Sequence, residues 1–137
     1  MSVGQVVIAI DAMGGENSPY KVLKGVEIFL KNERNTKIIF FGDELLINKN
    51  IKKNNLNLFN FEVVNTKDII SDEDSVNTIL RSKKNSSIYK ALEFAKNNEK
   101  SGFVSSGSTA AIMVLSRLHM GMIEGIDRPA ICSLVPN

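Results

Sequence analysis

Four hydroxyl residues, Ser105, Ser106, Ser108 and Thr109, crowd around Gly107 in the stretch "GFVSSGSTAAIM". Small polar side chains leading into a helix suit a phosphate or an oxyanion. The first N–H groups of a helix have no carbonyl partner, and the helix dipole favours negative charge there. Gly102 and Gly107 stand five apart with Thr109 behind them, as in a nucleotide P-loop, but Ser108 replaces the lysine that reaches the terminal phosphates. The residues between the glycines, "FVSS", themselves read as a strand, so the spacing is coincidental and does not imply ATP. The bland alternative is a helix cap of small residues packed under a sheet.

Three further stretches carry polar chemistry. In "DAMGG", Asp11 ends an apolar run, and Gly14 and Gly15 permit positive φ or a close ligand approach. The dinucleotide motif G-x-G-x-x-G is absent, and Asp43 lies beyond the ~20 residues at which a ribose-binding acid is found. "RSKKNSSIYK" gathers Arg81, Lys83, Lys84 and Lys90 beside Ser86 and Ser87 with no acid among them. It could attract an anion or an acidic partner, or be a solvated helix junction. "SDEDS" lacks the spacing and glycine of a calcium loop and reads as an acidic turn. His119 is the only histidine and Cys132 the only cysteine, so neither a multi-histidine nor a cysteine-built metal site is expected. No G-x-S-x-G elbow supports a serine hydrolase.

The elements that must position these residues alternate. "VVIAI" (Val6 to Ile10), "KIIFFGD", "FNFEVVN", "GFVSS" and "AICSLV" read as five strands. Ser18 with Pro19 is expected to open a helix that turns Val22, Leu23, Val26, Phe29 and Leu30 inward, with Lys24, Glu27 and Lys31 outside. "ELLINKNIKKN" reads as a short helix. Two helices broken near "KKNSS" follow from Ser75 to Lys100, the second striped by Ile88, Ala91, Leu92 and Ala95. Gly107 to about His119 is a last, apolar helix. Strands alternating with helices predict an α/β fold: a three-layer α/β/α, Rossmann-like sandwich on a mostly parallel sheet. Ligands of such sheets bind beyond the carboxyl ends of the strands, where "DAMGGENS", "GDE" and "SSGST" all fall.

Hydrophobic content of 43% and charged content of 23% are those of a soluble globular chain. The net charge of +2 is too slight for a nucleic-acid binder. One cysteine suits a reducing cytoplasm, and the opening "MSVGQVVIAI" has no signal-peptide pattern. No apolar run approaches the ~20 residues of a membrane span. Residues 1–137 are expected to form a single α/β domain or an N-terminal fragment of a longer enzyme, because the sequence stops at "SLVPN" just after the fifth expected strand.

Taken together, "IAIDAMGGE", "GD" after the second strand, "KKNSSI", "VSSGSTAAIM" and "GIDRPAI" resemble, in this order, the bacterial phosphate acyltransferases of phospholipid synthesis. The resemblance runs from Val7 to Pro136. It implies a fold like isopropylmalate dehydrogenase and phosphotransacetylase, a homodimer and no cofactor. It implies transfer of a fatty acyl group from acyl carrier protein to inorganic phosphate, the acyl phosphate passing to a membrane-bound glycerol-3-phosphate acyltransferase. The full-length protein would be cytoplasmic and peripherally membrane-associated. Where the family commonly reads S-A-G-N-T-G-A, this chain has "SSGSTAA". Ser105, Gly107, Thr109 and Ala111 match, whereas Ser106, Ser108 and Ala110 depart, and Ala110 loses a glycine's backbone freedom.

Phosphate is itself the nucleophile in such a transfer, so no catalytic serine or cysteine is required. The protein must hold a dianion near a thioester and stabilise an oxyanion. The residues expected to bind substrate are Asp11, Gly14, Gly15, Lys83, Lys84, Ser86, Ser87, Ser105, Ser106, Gly107, Ser108 and Thr109, with no metal. The rival reading is a sugar-phosphate or nucleotide-binding α/β module without acyl transfer.

Overall fold

The computed structural model describes residues 4–136. Strands β1 (Val7–Asp11) and β2 (Lys37–Gly42) are apolar along nearly their whole length, and both lie inside the sheet, covered on two faces. With β3 (Phe61–Asn65) and β4 (Ser101–Val104) they form a four-stranded, wholly parallel sheet in the order β3-β2-β1-β4. Each strand is joined to the next by helical segments: α1 (Tyr20–Leu30), α2 (Glu44–Lys53), then α3 (Val76–Ser82) with α4 (Ser87–Asn97). Helix α5 (Thr109–Met120) follows β4.

Strand alternation assigns the two faces. Ile8 and Ile10 align with Ile38 and Phe40, and these with Phe61 and Val63. They pack against Leu23, Val26 and Leu30 of α1 and Ile47 of α2. The opposite face carries Ala9, Ile39 and Phe41 under Ala91 of α4. Ile79 of α3, Ile88 and Leu92 of α4, and Ala111 and Leu115 of α5 form a third cluster. The expected three-layer α/β/α architecture is the one found. No helix among the described residues is long and apolar enough to cross a membrane.

Five local expectations are corrected. Phe29 of α1, expected inward, is 39% exposed, bordering an open apolar cleft with Ile8, Ile10 and Val104 instead of the closed core. "AICSLV" forms no strand: Ile131, Leu134 and Val135 are exposed and the segment is irregular. Its apolar, β-branched composition supplies propensity, but a strand exists only through a paired neighbour, and none lies alongside among the described residues. Ser18 does not cap α1. Pro19 holds the cap position, and the Ser18 hydroxyl donates to the Gly14 carbonyl instead. Glu27 is buried rather than outside. It accepts from the Lys24 ammonium and, at 2.8 Å, from the Asn57 N–H, and these two donors hold its carboxyl below the usual carboxylate range. Strand β4 ends at Val104, two residues early, because Ser105 turns toward Asp11.

His119 is buried near the end of α5, its ring edge-on to Tyr89 of α4 with centroids 4.5 Å apart. Its Nε2 has no hydrogen-bond partner among the described residues. Burial pushes the imidazole below the usual histidine range, and Lys96 and Lys90 add to that while Glu93 opposes it. The native state thus holds a neutral ring that the unfolded chain protonates near pH 6.5. The unfolded state binds more protons, so this contribution is complete above that pH and is lost as pH falls through the lowered native value. Urea unfolding between pH 7.5 and 5 should show a steeper loss of stability than in His119→Phe. Equal slopes would remove His119 from the acid response.

Candidate functional site

In the order β3-β2-β1-β4 the chain runs outward from β1 to β3 and then returns to the other side of β1. The reversal falls between β1 and β4, and the carboxyl ends of those two strands are where a parallel sheet opens a crevice. The loops "DAMGGENS" and "SSGS" emerge there side by side. Ser87, the first residue of α4, reaches the same place at Asp11.

Asp11 is the centre of the arrangement. It is 2% exposed. Its Oδ1 accepts from the Ser87 hydroxyl at 2.6 Å and from the Met13 N–H at 3.1 Å. Its Oδ2 accepts from the Ser105 hydroxyl at 2.8 Å. Ser105 Oγ accepts in turn from the Gly107 N–H at 3.0 Å. The Gly14 carbonyl receives the Ser106 hydroxyl at 2.9 Å, so the two loops are stitched twice. Gly14 and Gly107 meet backbone to backbone: a Cβ on Gly107 would lie 3.2 Å from the Gly14 Cα. Gly15 adopts φ +86°, a left-handed conformation that side chains resist.

These contacts sort the hydroxyls by what they can still offer. Ser87, Ser105 and Ser106 each give their proton to a protein oxygen. Ser86 caps α4, accepting from the Tyr89 N–H at 3.3 Å. Ser108 caps α5, accepting from the Ala111 N–H at 3.5 Å, which leaves its own proton free. Thr109 is exposed on the first turn of α5. The N–H groups of Thr109 and Ala110, as first-turn donors, have no intrahelical carbonyl to meet. The donors open to a ligand therefore concentrate at Ser108, Thr109 and Ala110.

An open cleft of about 570 Å³ lies over this helix start, bounded by Met13, Gly15, Lys21, Ile70, Ser106 and Ser108 among others. A small pocket beneath it reaches Asp11, Gly14, Ser87 and Gly107. Seven of the twelve expected residues line these two clefts: Asp11, Gly14, Gly15, Ser87, Ser106, Gly107 and Ser108. Ser86 and Thr109 stand at the starts of α4 and α5, and Ser105 lines neither cleft but is bonded to Asp11. The two lysines belong elsewhere. Lys83 donates to the Ile69 carbonyl at 2.9 Å and lies 3.5 Å from Asp74, tying down the segment that forms the far wall. Lys84 is exposed and lines neither cleft.

The sequence reading missed Lys21, which α1 presents at the cleft, and also Glu16, Ser71 and Asp72. Lys21 is the one cation lining the cleft, facing two carboxylates, and makes no ion pair among the described residues. Its signal was its place in the first turn of the helix after "DAMGG". No group of three or more His, Cys, Asp or Glu among the described residues is placed to hold a metal ion.

The profile of a family described as "Fatty acid synthesis protein" matches residues 6–137. A phosphate acyltransferase of Caldicellulosiruptor bescii is 40% identical over 129 residues, 94% of this chain and 39% of that protein. One from Pelagibacter ubique is 39% identical over 132 residues, 96% of this chain and 39% of its own length. One from Clostridium novyi is 40% identical over 129 residues, with the same coverage as the first. The chain thus spans about two fifths of the length of the curated relatives it matches.

Proposed function

Because the chain belongs to the fatty acid synthesis protein family, we propose that it serves as one α/β unit of a phosphate acyltransferase. The reaction is transfer of a long-chain acyl group from acyl carrier protein to inorganic phosphate, in phospholipid synthesis. The observation that carries this reading is the start of α5, with its free donors, opening on a cleft at the reversal of strand order. The names of the similar proteins support the phosphate acyltransferase class of the reading.

A phosphate oxygen attacks the thioester carbonyl carbon. The new C–O bond forms as the C–S bond breaks, and the carrier-protein thiolate leaves and takes a proton from solvent. The N–H groups of Thr109 and Ala110 and the hydroxyls of Ser108 and Thr109 hold the attacking phosphate, with Lys21 offsetting part of its charge. Glu16 and Asp72 oppose an anion, so the aligned N–H groups must supply most of the attraction. The substrate partners are acyl carrier protein and phosphate, and the acyl phosphate would pass to a membrane glycerol-3-phosphate acyltransferase. The working form would be a homodimer in the cytoplasm, touching the membrane from outside.

The test is thiol release from palmitoyl-acyl carrier protein by the full-length protein, with and without phosphate. Release that ignores phosphate, or none at all, would sink the reading. A second measurement addresses the cation. Loss of an exposed charge near a bound dianion costs on the order of 1 kcal/mol. Lys21→Ala should therefore raise KM for phosphate roughly fivefold, and more at low salt, while Lys84→Ala leaves it unchanged. The reverse order would return the anion to "RSKKNSS".

A further inference from the structure

Asp11 is an unexpected residue to find beneath a phosphate site. It is a carboxylate, 2% exposed, with no cation bonded to it among the described residues. A carboxylate buried there repels the anion above it, so direct ligation of phosphate is the wrong chemistry. Its contacts point to a different role. All three of its partners are donors, and two of them are hydroxyls whose direction of donation is otherwise free. We propose that Asp11 is a positioning residue: one acceptor that turns the Ser87 and Ser105 protons inward and locks the starts of α4 and α5 together beneath the cleft. This rests on reading the cleft as the phosphate site.

The lock works as a chain. The Gly107 N–H donates to Ser105 Oγ, Ser105 donates to Asp11 Oδ2, and Ser87 donates to Asp11 Oδ1. Each bond polarises the next, and the last acceptor takes a hydroxyl on each of its oxygens. Ser105 and Gly107 form the turn that delivers Ser108 and Thr109 to the cleft. Ser87 is the first residue of α4. One side chain therefore sets the position of both helix starts, across sequence separations of 76 and 94 residues. Only a group that accepts on both oxygens can do this. An asparagine amide accepts on one side and donates on the other, so in Asp11→Asn one serine faces a donor and must turn its proton outward or move away.

The experiment compares full-length wild type with Asp11→Asn, Ser105→Ala and the Asp11→Asn/Ser105→Ala pair. Displacement of the α5 start by about 1 Å can lower efficiency on the order of 100-fold. We expect a rise of at least tenfold in KM for phosphate in Asp11→Asn, with KM for the acyl donor within twofold and a lowered unfolding midpoint, since a buried donor loses its acceptor. The pair should be hardly worse than either single variant, since both break one chain. A crystal structure of Asp11→Asn should show Ser105 parted from residue 11 and the Gly107 turn shifted. An unmoved turn with unchanged kinetics would overturn the proposal. So would an unmoved turn with kcat lost at constant KM, because that identifies a group acting on the reaction itself. If wild type shows no phosphate-dependent release, the functional reading fails, and the position of the turn in the variant still decides what Asp11 does. If Asp11→Asn does not fold, Ser105→Ala and Ser87→Ala carry the test through the same KM split.

Discussion

Gly14→Ala should destabilise the protein by roughly 3 kcal/mol, at the upper end of what overpacking a rigid site costs. Gly14 is buried between the β1 and β4 loops. A Cβ there would collide with the Asp11 carboxylate and lie 2.8 Å from the Gly107 nitrogen and 2.9 Å from its Cα. Two of these atoms are backbone, and the carboxylate is held by three hydrogen bonds across its two oxygens, so none can swing aside cheaply. The site should fail with the fold, because the same displacement breaks the chain from Gly107 to Asp11. Gly25→Ala is the contrasting case. Gly25 is exposed within α1, and its added Cβ meets nothing within 4 Å. Removing a glycine from a helix interior should stabilise by about 0.5–1 kcal/mol. Urea unfolding of both full-length variants checks the pair. A loss below ~1 kcal/mol at Gly14 would mean that the two loops separate easily, contrary to the close approach described above.

Phe40→Ala should cost about 3–5 kcal/mol. Phe40 is fully buried in β2, an interior strand, with its ring edge-on to Phe61 at 5.8 Å. Its cluster joins both strands beside β2 to α1 and α2, so the void left by truncation has rigid walls on every side. Collapse to fill it would have to move a strand or a helix. Leu45 in α2 has the same apolar character but is 84% exposed, and Leu45→Ala should change stability by no more than about 0.5 kcal/mol. Similar losses at the two positions would contradict the assignment of Phe40 to the core.

The elements were legible because each depends on a local pattern. Strands β1 and β2 are continuous apolar runs, and only a strand covered on both faces, or a buried helix too short to stand, has that composition. The α4 stripe of Ile88, Ala91, Leu92 and Ala95 is wholly buried, as its helical spacing required. Strand-helix alternation led to the parallel sheet, and from there to loops at the carboxyl ends of strands as the place for a site. Gly102 falls inside β4, as the rejection of a P-loop required.

Tertiary structure decided what no window of sequence contains. "AICSLV" has the composition of a strand but no pairing partner, and pairing belongs to two segments rather than one. Glu27, which its charge assigned to solvent, is buried, because α1 packs so that Lys24 and the Asn57 N–H can satisfy it. Lys21 reaches the cleft and Lys84 does not, a distinction set by where α1 and the α3–α4 junction sit on the sheet. Asp11, Ser87 and Ser105 each stood out as polar residues near a strand end or helix start. That two of them point their protons at the third follows only from the strand order, which puts β4 beside β1 and the start of α4 above both. Periodicity reports whether a residue is buried. The partner it meets there is chosen by packing between elements far apart in the chain.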